Sequence, residues 1–207
     1  MPDDFGREFW EDRYRGLSTI HRHPNPQLVT EVADLTPGRA LDAGCGEGGD
    51  ALWLAGHGWH VTAVDIAEAA LDRARAHAGS AGTDVANRID WVRADLADWT
   101  PPQAEYDLVT SHYVHTPGPW EKLLRRLADA VAPGGTLLVV GHGHPAHPHP
   151  NDPSAPESRV TTDDLADALD PDRWEVVVAE SRTRTVTGHG RQAIVLHDAV
   201  LRAVRTP

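Results

Sequence analysis

The apolar positions of the chain change period several times, and each change marks an element. Near the start, Phe5, Phe9, Trp10 and Tyr14 recur at helical spacing, His23-Pro24-Asn25-Pro26 interrupts, and Leu28, Val32 and Leu35 resume. These residues predict two helical pieces around a break. After a Thr36-Pro37-Gly38 turn the pattern alternates. Arg39 to Ala43, His60 to Ile66, Ile89 to Ala94, Tyr106 to Val114 and Thr136 to Val140 read as short buried strands. Between them lie helical stretches at Asp50 to His57 and at the Ala-rich Ala67 to Ala78, with Gly79 as its expected stop. Trp120, Leu123, Leu124, Leu127, Ala130 and Val131 follow the spacing of an amphipathic helix ended by Pro133-Gly134-Gly135.

Gly141 to Ser158 has no hydrophobic period and a proline every few residues, which predicts an irregular loop over residues 141–160. Thr161 or Thr162 can cap a short helix from Asp163 to Leu169. Trp174 to Ala179 and Gln192 to Arg205 then read as two final strands joined across Gly188-His189-Gly190. Strand–helix alternation over the central region predicts a parallel sheet covered on both faces. The last two strands, with no helix between them, add an antiparallel pair at one edge. The expected fold is a single α/β domain over residues 1–207, a Rossmann-like three-layer αβα sandwich.

Composition narrows the function classes. Hydrophobic residues make up 40 % of the 207 positions, enough for a core. The formal charge of −12, with no Lys/Arg-rich block, disfavours nucleic acid as a partner. The single cysteine, Cys45, excludes an intrachain disulfide and a cysteine-based zinc cluster. The polar, acidic Met1 to Trp10 is unlike a signal peptide, and the longest aliphatic run is far short of the roughly 20 residues that cross a bilayer. A cytoplasmic protein without membrane attachment is expected. Trp53, Trp59, Trp91, Trp99 and Trp174 are expected to pack between helices and strands.

The densest local signal is Leu41-Asp42-Ala43-Gly44-Cys45-Gly46-Glu47-Gly48-Gly49-Asp50, at the junction of the first central strand and helix. Ligands of doubly wound sheets bind at such junctions. Gly44, Gly46 and Gly49 satisfy G-x-G-x-x-G, so spacing alone leaves a nicotinamide or flavin dinucleotide open. Three carboxylates bear on the choice. Asp42, at the strand end, suits a cationic amino group or sulfonium and would repel a pyrophosphate. Asp65, about twenty residues on, can accept both hydroxyls of a ribose, which fits either cofactor. Asp95 ends the third strand and can accept from an adenine amine while Ile66 and Leu96 sandwich the ring. An NAD(P)-dependent oxidoreductase is therefore the weaker enzyme reading, and no Tyr-x-x-x-Lys pair supports it.

ALDAGCGEGGD, VTAVDI, RADL, YDLVTSHYV and LADAVAPGGTLLVV, in that order from about Gly38 to Gly141, resemble the successive motifs of class I S-adenosylmethionine-dependent methyltransferases. The resemblance implies a seven-stranded sheet with an antiparallel last strand, S-adenosyl-L-methionine as cofactor and S-adenosyl-L-homocysteine as product. It also implies that Asp42, Gly44, Cys45 and Gly46 line the methionine end, Asp65 the ribose and Asp95 the adenine, with Ser111 near the transferred methyl. Phe9-Trp10-Glu11-Asp12-Arg13-Tyr14 is similar to the N-terminal helix of the tellurite-resistance and thiopurine methyltransferase-like group. That likeness implies that residues 1–36 form a helical lid, with Trp10 and Tyr14 over the cofactor.

Candidate catalytic residues fall in Ser111-His112-Tyr113-Val114-His115, after the fourth strand. Continued alternation would put Ser111, Tyr113 and His115 on one side and His112 on the other. His115, Tyr113 and His112 are the candidates to touch a small-molecule methyl acceptor with an S, O or N nucleophile, and a proton-bearing nucleophile would need a base. His142 and His144 are candidate substrate contacts. With His147 and His149 they also raise a non-catalytic metal-binding alternative, weakened by the intervening prolines and the lack of any helical i, i+4 pair, so no metal ligand is assigned. Arg182 and Arg184 are expected on an exposed strand face, with contact to an anionic substrate as the alternative.

Overall fold

β1 (Arg39–Ala43) is short and buried from its second residue onward, which suits the middle of a sheet rather than its edge. The computed structural model describes residues 6–16, 23–143, 160–187 and 193–207. In it β1 pairs in parallel with β2 (His60–Asp65) on one side and β4 (Tyr106–His112) on the other. β3 (Ile89–Arg93) flanks β2, and β5 (Val131–His142) flanks β4, both in parallel. β7 (Ala193–Arg205) runs antiparallel between β5 and the edge strand β6 (Trp174–Thr187), so the seven-stranded order is β3-β2-β1-β4-β5-β7-β6. The predicted class, mostly parallel with an antiparallel last strand, is the observed one.

Helices cover both faces. α2 (Pro26–Val32) and α3 (Gly49–Gly56) lie on the face where Leu28, Leu54, Leu108 and Leu138 are fully buried. α4 (Glu68–Ala81) and the short α5 (Thr83–Ala86) send Leu71 and Val85 to the same cluster. α6 (Trp120–Ala130) and α7 (Thr162–Asp167) bring Leu124, Leu127 and Leu165 against Leu41, Val109, Leu137 and Leu201 on the opposite face. Each such leucine contributes about 1.5–3 kcal/mol by leaving water. α1 (Arg7–Gly16) lies against α4 and buries little beyond Glu11. No helix among the described residues is long and apolar enough to cross a membrane.

The structure moves several expected boundaries. α4 continues through Gly79 to Ala81, because Gly79 tolerates helical backbone at a modest cost. The stop comes at Gly82, whose φ of 113° turns the chain into α5. β5 begins at Val131, so Pro133-Gly134-Gly135 sits inside the strand, where the register with β4 shifts between Tyr106 and Leu108. α7 starts with the expected Thr161 cap, completed as a capping box by Asp164. Trp59 and Trp174 are buried, and Trp53, Trp91 and Trp99 pack partly buried against the two clusters. Residues 188–190, the expected hairpin turn, lie outside the described residues, as does most of the 141–160 loop.

Arg182 and Arg184 do not occupy a free strand face. Arg182 pairs with Glu31 of α2 at 2.7 Å and also donates to Gln27 Oε1. Arg184 Nε donates to both oxygens of the fully buried Asp198, at 3.0 and 3.2 Å, and to the Tyr113 hydroxyl at 3.1 Å. The terminal hairpin is thereby locked to α2 and to the end of β4. Arg184→Leu leaves Asp198 buried without its cationic partner, with Gln27 as a remaining neutral donor, and should destabilise the protein by about 3 kcal/mol. The denaturation midpoint reads this, and Arg184→Leu with Asp198→Leu should recover much of the loss. A midpoint unmoved by the single change would show that the pair does not lock the hairpin.

Candidate active site

The glycine loop leaves β1 with its backbone tied down. The N–H groups of Gly44 and Cys45 donate to Val64 O at 2.8 and 2.9 Å, and Gly46 N–H donates to Asp65 Oδ2 at 2.8 Å. Asp65 Oδ1 accepts from Ala67 N–H, so this carboxylate joins the loop to the start of α4. Burial raises its pKa, and the backbone donors of Ala67, Gly46 and Ile66 oppose that rise. The Cys45 thiol is buried in the core beneath the loop, which pushes its pKa well up. A Cβ at Gly44 would collide with Val114. Gly46, at φ 52°, has the Tyr14 hydroxyl 2.8 Å from the place a Cβ would take, so the lid residue closes directly over the loop.

Asp42 is the strongest electrostatic feature. It is 2 % exposed, its Oδ1 lies 3.5 Å from Thr110 Oγ1, and its Oδ2 has no hydrogen-bond partner. Burial and the Asp50 carboxylate raise its pKa, against the opposing pull of His112. A buried carboxylate oxygen without a donor is costly unless a ligand completes it. The residues therefore fit a cationic group carried by a bound molecule. At the other strand ends, Asp95 Oδ1 accepts from Ala97 N–H and Ile66 is half-buried, while Leu96 is buried in the core.

The candidates after β4 separate as alternation suggested, for a different reason. β4 ends at His112, and Tyr113 adopts a φ of 54°, so the strand does not continue. Ser111, Tyr113 and His115 still share one cavity, floored by the leucines of α6 and bordered by His142. The cavity opens to solvent. Its rim carries a column of rings. Trp10 stacks on His115 at 6.5 Å, His115 on His142 at 5.5 Å, and His142 on Tyr113 at 4.7 Å. Burial and the neighbouring His142 lower the His115 pKa to about 4, leaving a neutral imidazole at physiological pH. Burial and Asp198 raise that of Tyr113, which stays protonated. His144 lies outside the described residues.

His112 is elsewhere. Its Nδ1 is 2.6 Å from Asp50 Oδ2 in a buried pair, and its Nε2 has no partner. Burial alone would lower its pKa, and Asp50 reverses the sign. Asp50 Oδ1 also accepts from Asn25 N–H at 2.6 Å, so this pair fastens the break before α2 to the site. Two such contacts escaped the sequence reading. Glu11 accepts from the N–H groups of Glu68 and Ala69, docking α1 on the first turn of α4. Burial would raise the Glu11 pKa, but those donors and Arg15 bring it below the ordinary value. A Glu between Trp10 and Tyr14 was the available signal for Glu11, but no local pattern signals the Asn25–Asp50–His112 chain. Among the described residues no group of three His, Cys, Asp or Glu side chains is placed to hold a metal ion.

Comparison with known proteins points to the stretch of chain that carries the glycine loop. Residues 40–135 match the family described as a methyltransferase domain. The chain is 34 % identical over 135 residues to a ubiquinone biosynthesis O-methyltransferase of Marinobacter nauticus, covering 63 % of this chain and 56 % of that protein. It is 35 % identical over 138 residues to a trans-aconitate 2-methyltransferase of Streptomyces avermitilis, covering 61 % and 49 %. The chain thus spans about half the length of these curated relatives. Among solved structures, TehB from Haemophilus influenzae superposes with a TM-score of 0.70 at 18 % identity, covering 97 % of this chain and 67 % of that one. The Burkholderia thailandensis 1,6-didemethyltoxoflavin-N1-methyltransferase, solved with 1,6-didemethyltoxoflavin and S-adenosylhomocysteine, superposes with 0.70 at 21 % identity, covering 97 % and 87 %. The matched stretch is a little under half of the chain, and the chain shares the overall fold of these two solved structures.

Asp42 makes a measurable difference to the ligand-free protein. Between the ordinary carboxylate value of 3.8 and about 7, the folded state keeps a proton that the unfolded state has lost. Asp42 therefore subtracts stability as pH rises through that window. Asp42→Asn cannot ionise and should gain on the unmodified protein between pH 4 and pH 8, by roughly 1–3 kcal/mol. Chemical denaturation at pH 4, 6 and 8 measures it. A difference independent of pH would mean that Asp42 ionises without penalty.

Proposed function

We propose that the protein is an S-adenosylmethionine-dependent methyltransferase that acts on a small molecule held in the cavity beside His115. The unsatisfied, buried Asp42 oxygen beneath the glycine loop carries this reading, because it asks for a cation where a dinucleotide would bring a pyrophosphate. The methyltransferase-domain match over the same loop supports it. When bound, the cofactor supplies a methyl carbon on a sulfonium, which leaves sulfur and its electron pair behind as the acceptor's lone pair forms the new bond.

The chain's own residues have the remaining tasks. Asp65 accepts from the ribose hydroxyls with the lone pairs that Gly46 and Ala67 leave free. Asp95 receives the adenine amine, and Ile66 and Leu96 border the ring. Gly44, Cys45 and Gly46 keep backbone close to the methionine end, with Ser111 beside the methyl. Trp10 and Tyr14 close over this end and exclude water. His115 takes the proton of the acceptor, since its neutral imidazole has a basic lone pair available above pH 4, whereas the protonated phenol of Tyr113 is no base. His112 holds α2 and α3 in place through Asp50. The site works on a small acceptor in solution in the cytoplasm.

Titration calorimetry with S-adenosylhomocysteine, and with NADH and NADPH as controls, tests the reading. Only the first should bind, and Asp65→Ala should weaken it by roughly 1.5–3 kcal/mol through the loss of charge-assisted hydrogen bonds. Binding of a nicotinamide cofactor instead would overturn the proposal. Once an acceptor is in hand, the acid limb of kcat/KM attributable to His115 should fall near pH 4 rather than at the ordinary histidine value of 6.5.

A further inference from the structure

We infer that the acceptor of this site is an uncharged, flat aromatic or heteroaromatic molecule bound between the ring column and α6. The inference rests on the methyltransferase reading and deepens it. Two observations carry it.

The first is the wall. The cavity is lined by Leu123, Leu124 and Leu127 of α6, Val139 of β5 and Leu165 of α7. The rings of Tyr113, His115 and His142, and Trp120 at the start of α6, complete this lining. Aromatic faces and edges select flat π systems over saturated rings of equal size, through offset and edge-to-face contacts.

The second is charge. No Lys, Arg, Asp or Glu lines the cavity among its described residues. At the ring column, Arg184 on the Tyr113 ring at 5.0 Å is committed to the buried Asp198, and the exposed Arg13 lies on the Trp10 ring at 5.8 Å, outside the cavity lining. A charged acceptor would give up its hydration for leucine and ring carbon with no counter-charge in that lining, which is strongly unfavourable.

A matched set of probes separates these claims, each titrated calorimetrically into the full chain with S-adenosylhomocysteine present. The set is 2-naphthol, decahydro-2-naphthol, 2-naphthoate and 2-naphthylmethylammonium. The neutral flat probe should bind at least tenfold more tightly than either ion and several-fold more tightly than its saturated counterpart. His142→Ala should weaken 2-naphthol at least fivefold, and Leu124→Asp should abolish its binding. Because Leu124→Asp could also unfold α6, its far-ultraviolet circular dichroism and its S-adenosylhomocysteine affinity are measured alongside, and His142→Ala stands as the second test.

Equal or tighter binding of either ion overturns the inference, as does silence from all four probes while S-adenosylhomocysteine binds. In both cases the methyltransferase reading survives. Failure of S-adenosylhomocysteine itself to bind overturns the reading and with it the assignment of these probes as acceptors.

Discussion

Buried carboxylates that accept backbone N–H groups hold the carboxyl edge of this sheet together. Asp65 ties the glycine loop to β2, Glu11 ties α1 to α4, and Asp50 ties the Asn25 break to α3. The residues joined are 19, 57 and 25 positions apart, so none of these bonds is local turn chemistry. A carboxylate receiving N–H donors in a low-dielectric setting is worth about 1.5–3 kcal/mol per bond and fixes direction as well as distance. They add to the backbone bonds from Gly44 and Cys45 to Val64 that already hold the loop to β2. The chain therefore concentrates its buried negative charge where the ligand chemistry lies, although its net charge is already −12.

Asp42 stands apart from this group because its second oxygen is left without a donor. It is in phase with Thr110 across the β1–β4 pairing, and His112 lies two residues further along the same strand. Two unsatisfied buried atoms, Asp42 Oδ2 and His112 Nε2, thus belong to one face of the sheet under the glycine loop. The ligand-free protein bears that cost, and the terminal hairpin helps to sustain it. Arg184, Asp198 and Tyr113 clamp the end of β4, so the positive φ at Tyr113 is held by contacts on several sides. That bend is what brings His115 back over the cavity shared with Ser111.

Much of this architecture was legible in one dimension. The β-branched runs and their spacing predict the strands, and the strand-end position of Asp42, Asp65 and Asp95 follows from the same pattern. The departures have definite causes. Gly79 is an ordinary helical residue because the helix has further residues to continue through, and Gly82 is where the backbone has to turn. Arg182 and Arg184 read as an exposed strand face until α2, far away in sequence, supplies Glu31 and Gln27 to the first, and Asp198 and Tyr113 take up the second. His112 and His115 look alike in sequence, yet one is paired with Asp50 and the other lines a cavity.

By itself the sequence determined the fold class, the strand count implied by its family resemblance, and the ends of strands where carboxylates gather. Those properties depend on residue type and period, which are local. Tertiary structure alone decided which carboxylate oxygen is left unsatisfied, which histidine is neutral, and that four rings from α1, β5 and the end of β4 form one column. Desolvation and stacking depend on neighbours tens of residues away, and no periodicity in the chain records them.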